Sequence, residues 1–159
     1  MQSAGQWQRQ WLHKRSERMS TWRRMDHLTP RRRSENMAAI KGRDTRPEMV
    51  VRRTLHALGY RYRLHRADLA GKPDLVLARY HAVIFVHGCF WHQHSASHCR
   101  ARPPKTNSRY WVPKLRRNVE RDKRNMELLR RSDWRVLVIW ECETKNVEAL
   151  KRKLAGFLS

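Results

Sequence analysis

The pattern of apolar and polar positions divides the chain into a small set of elements. Val50, Val51, Leu55 and Leu58 recur at helical spacing, with Thr45 as N-cap, Pro47 and Glu48 in the first turn and Gly59 as the stop. Tyr60 to Leu64 alternates and predicts an edge strand. Leu75 to Ala78 and Val83 to Val86 are short apolar runs joined by a tight turn near Tyr80. A two-residue turn there pairs residues whose numbers sum to about 159–161, which sets Asp74 opposite residues 85 to 87. Tyr110 to Arg131 predicts a long helix, with Trp111, Leu115, Val119, Met126 and Leu129 near one face. Trp134 to Trp140 is the clearest strand and is apolar enough to be central. Val147, Leu150, Leu154 and Phe157 predict a closing helix, and residues 30–41 a short basic one bearing Met37 and Ile40. Residues 1–24 have no apolar periodicity and are expected to be a disordered basic arm, with residues 25–159 as the domain and Met25 as its natural start. The rival expectation is a genuine arm that grips phosphates.

Charge changes the picture most. Thirty-six Lys and Arg against 14 Asp and Glu leave a formal charge of +22 on 159 residues, a surface that repels itself unless it meets a polyanion. Nucleic acid is the first partner to expect, ahead of a ribosomal-type binding role or a membrane surface. No segment approaches 18 consecutive apolar residues and no secretory leader is visible, so a cytoplasmic protein is expected. Three cysteines argue against a disulfide scaffold and permit a metal site.

Candidate chemistry is concentrated after the second apolar run. Cys89, His94 and Cys99 come from one loop and Cys142 follows the Trp134–Trp140 strand, enough for a closed tetrahedral Cys3His zinc site. His98 or His92 would also serve as the imidazole, and reduced buried thiols would explain the same cysteines without metal. Glu48, Asp74, His87 and His92 form a second set. An Asp at a strand start, opposite the end of its neighbour, is how many nucleases hold magnesium; a plain turn residue is the competing reading. The acidic residue and lysine common on the next strand of such cores are Phe85 and His87 here, so the site is either rearranged or dead. Histidine suits proton transfer near neutral pH. Phe90 and Trp91 would face opposite ways in an extended segment and, with Trp111, offer wedges for a base stack, unless they simply pack on the loop. The basic segments 30–43 and 114–131 are expected to contact phosphates.

Several motifs taken together resemble the very short patch repair (Vsr) DNA mismatch endonucleases. They are Gly71-Lys72-Pro73-Asp74, the run Phe85 to His92, Asn118-Val119-Glu120-Arg121-Asp122 and the run Trp134 to Cys142, with Arg33 to Met37 and Asp44 to Glu48 fitting as well. The resemblance spans roughly residues 26–157. It implies an α/β fold: a restriction-endonuclease-like core with a mixed central sheet flanked by helices and a structural zinc site. It further implies a magnesium-dependent nick 5′ of the thymine in a T:G mismatch left by 5-methylcytosine deamination, made by a monomer on double-stranded DNA, with repair proteins taking over the nick. Position by position, Asp74 becomes the magnesium carboxylate, Val86 lends its main-chain carbonyl, and His92 is the general acid/base. His87 and Glu48 order metal-bound water, while Phe90, Trp91 and Trp111 intercalate. Cys89, His94, Cys99 and Cys142 become the zinc ligands, with His98 a substitute for His94. Two alternatives remain open: a restriction-type nuclease that cuts matched duplex as a dimer, and a zinc-stabilised DNA-binding module without catalysis.

Overall fold

The computed structural model describes residues 42–102 and 107–159, with Thr29, Arg31, Arg32 and Glu35. The chain divides into two compact units, Met1–Lys41 and Gly42–Ser159, and the second contains the sheet and the three long helices. The arm at 1–24, most of the basic helix expected at 30–41 and residues 103–106 lie outside the described residues.

Helix α1 (Arg46–Ala57) starts where its signals place it. Thr45 is extended at φ −67° and ψ 154°, and its Oγ1 accepts the Glu48 backbone N–H. Gly59, at φ +84°, ends the helix with a left-handed residue that costs little only for glycine. The expected Tyr60–Leu64 strand shrinks to β1 (Arg63–Leu64). Tyr60 and Tyr62 turn onto the core instead, and the Tyr62 hydroxyl donates to the Arg52 carbonyl.

Strand β2 (Leu75–Leu77) pairs antiparallel with β3 (Ala82–His87) through Leu75–Ile84, Val76–Val83 and Leu77–Ala82. That register is the expected one. The connection is longer than two residues: Ala78–Tyr80 form a 3-10 turn and His81 takes a left-handed φ of 48°, which removes Ala78 from the strand. Helix α2 (Ser108–Arg131) follows, then β4 (Arg135–Trp140), parallel to β3 with His87 beside Trp140. A short 3-10 turn leads to α3 (Val147–Leu158), capped by Asn146.

The strand order is β1-β2-β3-β4, so β4, expected to be central, lies at an edge among the described residues, and β2 and β3 are the interior strands. The sequence of β4 is apolar because both its faces are covered, not because both its edges are paired. Leu137 packs on the core of Leu55, Ile84, Leu150 and Leu154 between the sheet and helices α1 and α3. Val136 and Val138 pack on the opposite core of Val76, Val83, Phe85 and Leu129, beneath α2. Alternate residues of β2 and β3 enter opposite cores for the same reason, each fully buried side chain contributing about 1.5–3 kcal/mol. Val147, expected to pack, is exposed. Among the described residues, no helix is long and apolar enough to cross a membrane.

Candidate active site and metal centre

Strand β3 carries the chain into both sites. Beyond His87 it breaks into successive turns, closed by His92 N–H to the Gly88 carbonyl and His94 N–H to the Cys89 carbonyl. This folding overturns one expectation: Phe90 and Trp91 do not point apart along an extended segment. Their rings meet edge to face at 5.0 Å, and Trp111 of α2 joins them at 5.5 Å from Phe90 and 5.9 Å from Trp91. All three are half-buried. Lys114 Nζ sits between 5.3 and 5.8 Å from the rings of Tyr110, Trp111 and Trp91, within cation–π range.

The same turns gather the sulfur ligands. Ligand atoms of Cys89, His94, Cys99 and Cys142 all lie within 4.8 Å of one another, and the four could hold a metal ion. His94 Nδ1 is 3.3 Å from Cys142 Sγ and 3.7 Å from Cys89 Sγ. Its ring stacks on Trp140 at 4.1 Å, which fixes its orientation. His98 is the outer imidazole, 3.9 Å from Cys142 Sγ. All three cysteines are free thiols, and burial pushes the Cys89 thiol up to about 12. Such a group gives up its proton only to a strong Lewis acid or base. Glu141 accepts the Cys89 backbone N–H and ties the loop to the end of β4.

Around Asp74 the donors are oxygen and imidazole. Gly71, at φ +73°, presses the preceding turn against Asn125, where an added Cβ would meet that side chain at 2.9 Å. Asp74 then stands just before β2, and its Oδ2 accepts the Val86 N–H at 2.7 Å. Burial raises the Asp74 carboxyl and the charge on Glu48 adds to this, while the Val86 N–H, His65 and His92 oppose it. Glu48 is buried on α1, paired with Arg52 and 3.2 Å from His65 Nε2.

His87 and His92 stack face to face, 3.8 Å between centroids and 9° between planes. Burial, then the neighbouring charge of His92, lowers His87 to about 4, so it is neutral near pH 7. His92 Nδ1 lies 2.5 Å from Asp122 Oδ2 on α2. Burial, the largest single influence, would raise Asp122, but the hydrogen bond from His92 and the positive charges around it together outweigh burial and hold the carboxyl below its ordinary range. A carboxylate can only accept, so His92 donates to it from Nδ1, and Nε2 is the nitrogen left outside that bond.

All the residues singled out from the sequence therefore fall into three neighbouring groups at one end of β3. Three partners were missed: Asp122, Arg52 and His65. Asp122 had a signal. With Asn118 it interrupts the stripe of Leu115, Met126 and Leu129, and a polar residue on an apolar face asks for a partner. His65 had none, since its place depends on a left-handed φ of 46° just past β1.

Comparisons with known proteins agree with this architecture. The catalytic domain of the homing endonuclease I-Bth0305I shares the fold with a TM-score of 0.50 and 23% identity, over 72% of this chain and 94% of that one. The mixed sheet flanked by helices is a restriction-endonuclease-like core. The type II nicking enzyme V.XorIIP of Xanthomonas oryzae pv. oryzae is 46% identical over 134 residues, 84% of this chain and 96% of its own. The DNA mismatch endonuclease Vsr of Escherichia coli K12 is 44% identical over 119 residues, 74% of each chain. These relatives define an endonuclease, a hydrolase of DNA phosphodiester bonds. A family model described as DNA mismatch endonuclease Vsr matches residues 25–98. The chain belongs to that family.

Proposed function

We propose that this mismatch endonuclease nicks one strand of double-stranded DNA on the 5′ side of the thymine in a T:G mismatch, using magnesium at Asp74 and a structural zinc at the cysteine cluster. The observation that carries the reading is the His92–Asp122 pair, set beside the Asp74 edge of the sheet and the aromatic group. Pure DNA binding needs no oriented base.

The donor sets fit the two ions. Three thiols and one imidazole within 4.8 Å suit zinc in a closed four-coordinate site. Asp74 keeps Oδ1 free while Oδ2 holds the Val86 N–H, and with the Val86 carbonyl it offers the hard oxygen ligands magnesium prefers. Magnesium, when bound, supplies Lewis-acid charge to a phosphate oxygen and polarises water. His92 accepts or returns a proton at Nε2, held in register by Asp122. His87, neutral, and Glu48 order water around the site.

Phe90, Trp91 and Trp111 enter the stack beside the mismatch at a cost of about a few kcal/mol per step, which is smaller where a wobble pair already stacks poorly. Basic residues exposed on α2 contact phosphates. A single site per chain suits a monomer that nicks without breaking the duplex, in the cytoplasm at the nucleoid, and leaves the nick to repair proteins.

Strand-labelled duplexes bearing one T:G pair in randomised flanks, incubated with magnesium beside T:A controls, test this. Nicking 5′ of the mismatched T supports it. Equal cutting of T:A duplex would replace it with a restriction-type activity, and tight binding without cutting with a non-catalytic module.

A further inference from the structure

Asp44, Glu48 and His65 bring three potential ligand atoms within 4.8 Å of one another, an arrangement that could hold a cation. The Arg52 guanidinium lies among them. Its Nη1 donates to Asp44 Oδ1 at 2.6 Å, while Nη2 donates to Glu48 Oε1 and lies 3.0 Å from His65 Nε2. The Arg52 side chain is 9% exposed, and its Nε is buried without a hydrogen-bond partner. A guanidinium stays charged at any physiological pH, so the chain itself fills this nest with a permanent cation. Glu48, 2% exposed, is the buried partner of that charge.

The consequence reaches Asp74 through His65. His65 Nε2 meets the Arg52 Nη2 donor at 3.0 Å and Glu48 Oε1 at 3.2 Å; because the guanidinium can only donate, Nε2 accepts from it and the imidazole proton lies on Nδ1, the nitrogen 3.9 Å from Asp74 Oδ1. Asp74 Oδ2 is committed to the Val86 N–H, so Oδ1 is the oxygen left for a ligand, and it faces His65. At 3.9 Å the contact is charge–dipole rather than a hydrogen bond. It favours one orientation of the carboxylate without occupying the oxygen.

We propose that Arg52 and His65 are positioning residues: Arg52 fixes the tautomer of His65, and His65 orients the free oxygen of Asp74 toward its divalent cation. This rests on the assignment of the catalytic cation to Asp74. His65→Phe keeps the ring volume and removes the donor. His65→Asn keeps an amide N–H near the Nδ1 position, and asparagine tolerates the left-handed backbone there.

Manganese titration of the zinc-loaded full chain, read by the electron paramagnetic signal of free manganese, tests this alongside nicking rate, DNA affinity and thermal midpoint. His65→Phe and Arg52→Met are expected to weaken manganese binding by about 10-fold or more and to slow nicking while still binding DNA. His65→Asn should recover most of both losses. Wild-type manganese affinity in a folded His65→Phe chain would overturn the proposal, as would Phe and Asn variants that behave alike. Asp74→Asn separates the layers. If it binds manganese like wild type, the cation assignment itself is wrong; if it loses manganese while His65→Phe does not, only the positioning role fails.

Discussion

Two ligand clusters grow from the same end of β3 and are built in opposite ways. In the Cys89, His94, Cys99, Cys142 cluster all four donors turn toward one another, and Trp140 at the end of β4 and Glu141 just after it brace them. Around Asp74 only one carboxylate oxygen is free, its partner oxygen is tied to the backbone, and the side chain remains 23% exposed. A saturated set of soft donors leaves no position for substrate and can only hold structure. An unsaturated set of hard donors leaves room for water and phosphate. On the function proposed above, neighbouring residues of one loop serve stability and chemistry separately.

Changes on either side should fail in different ways. The largest effect is expected from Asp74→Ala: losing several kcal/mol of charge stabilisation slows nicking by about 10³-fold, with thermal midpoint and DNA affinity nearly unchanged in parallel melting and binding assays. Cys142→Ser, or a strong chelator, should do the reverse first. Metal analysis would show the bound ion lost, and calorimetry a thermal midpoint lower by about 10 °C, a loss of a few kcal/mol. Activity would then fall only because the loop is no longer held. If Cys142→Ser left the midpoint unchanged, the division between the clusters would collapse.

Acid sharpens the contrast. His87 is held near pKa 4 in the folded chain against about 6.5 when unfolded, so the unfolded state binds the extra proton between those values. Stability should climb by no more than about 3 kcal/mol from pH 4 to 6.5 and gain nothing from this group above that. Denaturant midpoints across the range would show it, and His87→Gln should flatten the slope. The smallest effect is expected from Asp122→Asn, which keeps a hydrogen-bonding partner for His92 but no longer fixes its tautomer. Nicking should slow by about 10–100-fold, with metal content unchanged.

Much of this was legible in the sequence where local chemistry decided the outcome. Thr45 and Gly59 bounded α1, and the hairpin register that sets Asp74 against β3 followed from two apolar runs and a turn. The three cysteines could be picked out because cysteine is rare, whereas the choice of imidazole among His94, His98 and His92 stayed open until the loop was folded. What could not be read depended on distant packing. The edge position of β4 was hidden because two covered faces write the same apolar pattern as two paired edges. The contact between Phe90 and Trp91 depended on turns past β3 that no periodicity marks. Arg52 and His65 carried no pattern that tied them to Asp74 until the fold closed around them.

The parallel pairing of β3 with β4 has one more consequence. The two strands are joined through the whole of α2, so their contacts close a far longer loop than those of the β2–β3 hairpin. His92 waits for Asp122 on α2, and Cys89 waits for Cys142 beyond β4. A nascent chain that has emerged only as far as α2 therefore holds neither an assembled thiol cluster nor a braced loop. The loop that links the two clusters is braced only once the last strand and the turn after it are in place.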